Sequence, residues 1–251
     1  MTVLEPLAAR YAGWLRLPAA ATADVSAEDP TLVRAMPLVL RIERAEPPGR
    51  TALLEAAAAA AVAVCLDPRA AEDGEWHEAV ADWVAAHIRK VSRRARGAHW
   101  TAVQDLPGVT VTVAGASVRA LLPGRVVDTP KEVSRLQIAG SDLPADEPGP
   151  APDGVPVLWL NPTVEMTAGK AAAQVGHASM LLAALWTPGL AGWAESGFRC
   201  AVRTATPGEW ATLHPGDDPE GAWRTRGVVA VRDAGFTEVE PGTVTVLAQR
   251  P

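Results

Sequence analysis

The sequence predicts an α/β protein made twice over: two tandem α/β/α sandwich units, each on a roughly four-stranded mixed sheet, packed as a pseudo-dimer. Three observations lead there. First, residues 155–186 read as strand, connector and helix. Val155–Leu160 is an apolar run of strand length, Asn161–Ala168 carries a Pro, and from Gly169 the composition turns to Ala and Gln, which favour helix. Second, PLVLRIERAEPPGRTALLEAAAAAAVAVCL from Pro37 has the plan of VPVLWLNPTVEMTAGKAAAQVGHASMLLAAL from Val155: strand, connector with Glu and Pro, Gly followed by a cation, Ala-rich helix. Third, residues 141–156, SDLPADEPGPAPDGVP, hold five prolines, two glycines and four acids and leave little to bury, as a linker does. The copies lie roughly 100 to 120 residues apart, a period longer than that of solenoid repeats. Two related units in one chain can pack as a two-fold homodimer packs.

The predicted organisation is an N-terminal arm at 1–35, a first unit at 36–143, a Pro-rich linker at 144–156 and a second unit at 157–251. The arm reads as irregular, with a short amphipathic piece at Tyr11–Leu17 and a small-residue acidic stretch at Pro18–Asp29. Met36–Glu43 reads as a strand, Arg44–Gly49 as a turn and Arg50–Leu66 as a helix. Val80, Trp83, Val84, His87, Ile88 and Val91 fall at helical spacing, so Glu75–Arg96 is expected to be a second helix. Ala98–Gln104, Thr110–Val113, Val118–Val127 and Val133–Ala139 read as strands. In the second unit the helix from Gly169 runs to about Trp186, and Trp193–Gly197 reads as a short helix. Phe198–Arg203, Gly227–Arg232 and Thr243–Gln249 read as strands, with a helix starting at Thr206, an acidic loop at His214–Ala222 and a loop at Asp233–Gly242. His99–Gly108 also resembles Arg199–Gly208, extending the duplication.

Composition narrows the function. A net charge of −6 counts against indiscriminate nucleic-acid binding, although a local basic patch remains open. Such a patch exists in Arg89, Lys90, Arg93, Arg94 and Arg96. It reads first as a solvated helix end complementing the dipole, and second as a phosphate contact. Two cysteines, Cys65 and Cys200, make neither a disulfide framework nor metal-ligand spacing, so a reducing, cytoplasmic setting and no metal or other cofactor are expected. Glu5 with no basic segment before an apolar core predicts no signal peptide. Leu53–Leu66 is interrupted by Glu55 and too short to span a bilayer, so no membrane partner is expected.

The residues that carry chemistry cluster in two stretches of the second unit. One is Met166-Thr-Ala-Gly169-Lys170-Ala-Ala-Ala-Gln174-Val-Gly-His177-Ala178. The other is Val231-Arg-Asp233-Ala-Gly235-Phe-Thr237-Glu-Val-Glu-Pro241-Gly242-Thr-Val-Thr245-Val-Leu-Ala. Lys170 is one of three lysines in a chain with twenty arginines, and it is expected at a helix N-terminus, where unpaired N–H groups favour anions. Lys170, Gln174 and His177 share one helical face. Each residue has a plainer reading. Lys170 can be a solvated side chain, Asp233 can cap the turn before Gly235, and His177 is more readily a packed core histidine. Gln174 can order the loop, and glycines 169, 235 and 242 can be conformational. The nine tryptophans are mostly core, and one exposed ring could stack on a terminal base. The stretch is not a P-loop, since Ala171 follows the lysine where Ser or Thr is required.

Taken together, the two stretches resemble the archaeal and eukaryotic type of peptidyl-tRNA hydrolase, the second of two unrelated families of that name. The resemblance covers about residues 155–251, close to the whole family domain. It implies an α/β/α sandwich, a peptidyl-tRNA partner, and metal-free cleavage of the peptidyl ester by an activated water. It carries catalytic roles to Lys170, Asp233, Thr237 and Thr245; Gln174, His177, Gly169 and Gly235, which surround them in the two stretches, are the candidate substrate contacts. Such hydrolysis needs an oriented water and a stabilised oxyanion, and an Asp at a strand end beside a Lys at a helix start can supply both. The chain departs from the family pattern at Asn161 and Thr163, where Arg and Asp are usual, and at Phe236, where Arg is usual. In the first unit Arg50 follows Gly49, but Leu54 and Ala57 replace Gln174 and His177, and Leu121–Gly124 is expected at the place of Asp233. That unit therefore reads as a degenerate, non-catalytic copy, and the chain as an intrachain pseudo-dimer, with a monomer among the oligomeric states this allows. The competing reading is a non-catalytic relative that binds tRNA or protein. A third is a hydrolase for a smaller ester.

Overall fold

The structure is a computed structural model that describes residues 2–251. The chain opens with helices α1 (Glu5–Arg16) and α2 (Ala19–Thr22). The first lobe follows as β1 (Arg34–Arg41), α3 (Arg50–Cys65), α4 (His77–Ala85), β2 (Lys90–Ala95), α5 (Gly97–Val103), β3 (Gly108–Val113), β4 (Ala116–Leu121), β5 (Gly124–Arg125) and α6 (Lys131–Ser134). The second lobe is β6 (Val157–Leu160), α7 (Ala168–Leu185), α8 (Leu190–Glu195), β7 (Ala201–Thr204), α9 (Pro207–Leu213), α10 (Pro219–Arg226), β8 (Val228–Arg232) and β9 (Val244–Gln249).

The two sheets share one topology. In the first the order is β2-β1-β4-β3, with β5 pairing separately with β1, and in the second it is β7-β6-β9-β8. In each, the first strand pairs parallel with the strand after the long helix and antiparallel with the fourth. Leu40 faces Val118 as Leu160 faces Val246, which places Ser117 at the counterpart of Thr245. The result is a pseudo-symmetric, two-lobed α/β unit of two mixed sheets flanked by helices.

The lobes meet along α3 and α7. Both helices are apolar nearly all round, as buried helices must be. Their alanine faces let the backbones approach closely: Ser179 Oγ donates to the Ala58 carbonyl of the other lobe at 2.7 Å. Each long helix also packs on the edge strand of the opposite sheet, α7 on β2 and α3 on β7. There Glu55 accepts from the Val202 amide at 3.1 Å and from Arg203 at 3.0 Å.

Several expected elements differ. The arm is not irregular: Leu4, Leu7 and Tyr11 are buried, and α1 lies against α7, β8 and α4. Tyr11 Oη accepts the Ala230 amide at 2.9 Å, so α1 satisfies part of the edge of β8. The helix expected over 75–96 ends at Ala85, and Lys90–Ala95 is a strand parallel to β1. Pairing with a formed strand outweighs the helical periodicity of its side chains. Residues 98–104, expected as a strand, fall in α5, and 133–139 has only an Arg94–Gln137 bridge after α6. Val118–Val127 is broken after Leu121, and the loop at 214–222 contains the start of α10.

The duplication is shifted in its later part. His99–Gly108 begins in α5, whereas Arg199–Gly208 spans β7, so the similar strings are not structural counterparts. The counterpart of Asp233 is also not Leu121–Gly124. By register it is Val113, the last residue of β3, followed by the tight turn Ala114-Gly115 with φ of 44° and 85°. The second lobe has the loop 234–243 where the first has two residues.

The stretch 144–156 has no helix or strand, but it is docked. Asp146 accepts from the Thr51 amide at 3.0 Å and so caps α3. Among the described residues no helix is long and apolar enough to cross a membrane.

Candidate active site

Asp233 follows the last residue of β8, and Lys170 sits in the first turn of α7. They meet: Lys170 Nζ lies 2.6 Å from Asp233 Oδ2, with both side chains nearly buried. Gln174, one turn further along α7, donates through Nε2 to the same oxygen at 2.7 Å. Thr245, fully buried on β9, donates to Gln174 Oε1 at 2.5 Å. Thr245 therefore acts on Asp233 only through Gln174. Thr237, exposed in the loop, accepts from Lys170 Nζ at 3.0 Å.

The other oxygen, Asp233 Oδ1, accepts the Gly235 amide at 2.8 Å. Gly235 has φ of 83°, and a Cβ there would meet Pro241 Cγ at 2.4 Å, so the turn needs glycine. Backbone bonds from Asp233 N to Thr243 O and from Gly242 N to Asp233 O close the loop on itself. Asp233 therefore caps the turn before Gly235, its plainer reading, and also forms an ion pair with Lys170.

The helix start is arranged differently from the expected anion site. Thr167 caps α7 by accepting from the Lys170 amide at 3.2 Å. Glu238 accepts from Thr167 N at 2.9 Å and from Thr167 Oγ1 at 2.8 Å, so a carboxylate of the chain itself sits at this helix N-terminus. The Gly169 carbonyl accepts from Ser92 Oγ of the first lobe at 2.6 Å. Asn161 bonds the Val244 carbonyl and, through Oδ1, the amide and hydroxyl of Thr163. Asn161 and Thr163 thus stabilise the connector.

The cluster opens into a cleft of about 710 Å³ between the lobes. Its walls are α7, the segment 85–92 of the first lobe, α1 and the loop after β8. His177 lines it, with Nδ1 3.1 Å from Lys90 Nζ. Burial, then the charges of Lys90 and Lys170, hold the His177 imidazole well below its ordinary value, so it is neutral. Burial also pushes the Lys90 ammonium down to about 7. Phe236 is 46 % exposed at the mouth, with the Arg89 guanidinium 5.1 Å from its ring centre. The sequence placed Arg89 and Lys90 only in the basic run of the first lobe, not in this cleft. Only the β2 pairing brings them here.

Most of the basic run is engaged within the chain. Arg89 pairs with Glu28 at 2.6 Å, Arg93 donates to the Leu136 carbonyl at 2.8 Å, and Arg94 donates to Gln137 and to the Gly140 carbonyl. Arg96 is exposed. Among the described residues no three His, Cys, Asp or Glu side chains converge as a metal site.

Chemically, the cluster offers a carboxylate with one unused lone pair on Oδ1 and an ammonium with one N–H beyond its two bonds. One can hold a water, the other a developing negative oxygen. Compared with family models and with curated proteins, the chain matches neither a family nor a protein.

Proposed function

We propose that the chain is a peptidyl-tRNA hydrolase whose single site lies in the second lobe. The observation that carries this reading is the convergence of Lys170, Asp233 and Gln174 at the head of a large inter-lobe cleft. In the proposed reaction Asp233 Oδ1 orients a water toward the ester carbonyl. Asp233 Oδ1 takes one proton of that water as the water oxygen bonds to the carbonyl carbon, and Lys170 stabilises the oxyanion that forms. On collapse the ester C–O bond breaks while Asp233 passes the proton to the ribose oxygen, leaving the peptide carboxylic acid to ionise in solvent. Gln174 and Thr245 position the carboxylate, and Thr237 positions the ammonium. The first lobe, with Val113 in place of Asp233 and a two-residue turn in place of its loop, acts as the pseudo-dimer partner.

A second reading, a non-catalytic binding relative, draws on Phe236 at the mouth and on the engagement of Arg89, Arg93 and Arg94 within the chain. Release of N-acetylated amino acid from N-acetyl-aminoacyl-tRNA separates the two. Wild type should be active, while Lys170→Ala and Asp233→Ala should each lose about 10²–10⁴-fold. A folded but inactive wild type at low salt would favour the binding relative.

A further inference from the structure

Lys90 is the cation the hydrolytic reading leaves without work. It leaves β2 of the first lobe and crosses to the second. Its stem passes Gly176, where a Cβ would meet Lys90 Cδ and Cε at 3.2 Å, so the missing side chain at 176 lets it through. Its ammonium ends 3.1 Å from His177 Nδ1 and 5.1 Å from the centre of the Trp83 ring. Among the described residues no carboxylate forms an ion pair with it.

This end of the cleft therefore offers donors. Below about pH 7 Lys90 is an ammonium with three N–H bonds and no acceptor, and one of these then faces His177 Nδ1. With Nδ1 accepting, the neutral ring carries its proton on Nε2, a second donor. The surrounding walls are apolar: Leu7, Trp14, Ile88, Met180 and Leu181 line the same cavity. A partly apolar ligand with carbonyl acceptors fits such a lining.

The spacing states which carbonyl. His177 lies seven residues, two turns, beyond Lys170, so Lys90 and His177 stand about 10 Å along α7 from the ion pair. An extended peptide covers that distance in about three residues. We propose that the inter-lobe cleft is a peptide subsite, in which Lys90 and His177 donate to main-chain carbonyls of an apolar, N-blocked acyl chain about three residues from the scissile ester. The first lobe is then a specificity element. The inference rests on the hydrolase reading for the position of the ester, but the subsite itself can be measured without cleavage.

The test is calorimetric binding of N-acetyl-trileucine and N-acetyl-leucine to wild type and Lys90→Met, with ester cleavage measured on the matching acyl-tRNAs. One hydrogen bond to a charged donor corresponds to about tenfold. Wild type should bind the tripeptide at least tenfold more tightly, and Lys90→Met should lose that preference. In cleavage the loss should fall on KM for the longer chain. Equal wild-type affinity for the two probes would overturn the proposal, and the wild-type comparison does not depend on the variant folding. A preference that survives in folded Lys90→Met would also overturn it. Wild-type preference lost in the variant, with no cleavage of either ester, would support the peptide subsite and remove the hydrolase reading alone.

Discussion

Arg50 stands in the first lobe where Lys170 stands in the second, yet it reaches out of its own lobe to donate to the Met166 carbonyl at 2.7 Å. It also donates to the Leu143 carbonyl at 3.2 Å. Met166 immediately precedes Thr167, the cap of α7, so the first lobe's cation braces the connector that presents the second lobe's cation. Arg50→Ala removes a charged donor from two partly buried carbonyls. The expected loss is about 1–3 kcal/mol of stability, measured by denaturant unfolding, with Arg50→Lys recovering part of it. An unchanged midpoint would mean the brace is idle.

The Lys170–Asp233 pair predicts a separation of stability from activity. Removing one partner leaves a nearly buried charge, at about 3–5 kcal/mol. Removing both charges in Lys170→Met/Asp233→Asn leaves none. The double variant should therefore be more stable than Asp233→Ala or Lys170→Ala and, on the proposed hydrolase reading, should be as inactive as they are. A double variant no more stable than the singles would show that the pair is solvated in solution.

Lys90 gives a pH dependence with a definite sign. Its folded value of about 7 lies below the usual 10.5 because burial disfavours the ammonium. The unfolded chain thus binds more protons between these values, and stability from this group rises with pH across that window. Below about 7 both states are charged and the burial penalty is complete. Lys90→Met should accordingly raise the melting temperature most at pH 6, with the gain shrinking toward pH 10. A gain independent of pH would place the ammonium in water.

The legible parts of the chain were those with local patterns. The strand–connector–helix units at β1–α3 and β6–α7 follow from apolar runs and alanine composition, and the second stretch after Val231 locates the loop of Asp233. What failed was set by distant pairing. Lys90–Ala95 has helical spacing and becomes a strand because β1 is there to pair with. Residues 98–104 read as a strand by their side chains but close a helix after β2. The stripe Leu4, Leu7, Tyr11, Trp14 was a usable signal for α1. No local pattern could show that this helix would cover β8 or wall the cleft. The link from Thr245 through Gln174 to Asp233 was likewise invisible, because it joins three elements that meet only in the fold.

The open basic surface makes the last prediction. A second pocket, of about 240 Å³, lies on the first lobe and is lined by Arg94, Arg96, His99 and Arg135 with no acid among its lining residues. Arg96, His99 and Arg135 are exposed, so this pocket keeps cations that the run near the cleft has committed to internal bonds. If tRNA is the partner, its phosphates should be met here as well as at the cleft mouth. Arg96→Ala/Arg135→Ala should weaken tRNA binding and reduce the slope of log K against log salt by about 0.9 for each duplex phosphate that is no longer neutralised. The same variant should cleave a small N-acetyl-aminoacyl ester lacking the tRNA body at the wild-type rate, because neither arginine lines the cleft. A salt slope equal to that of wild type would move the tRNA body to another face of the molecule.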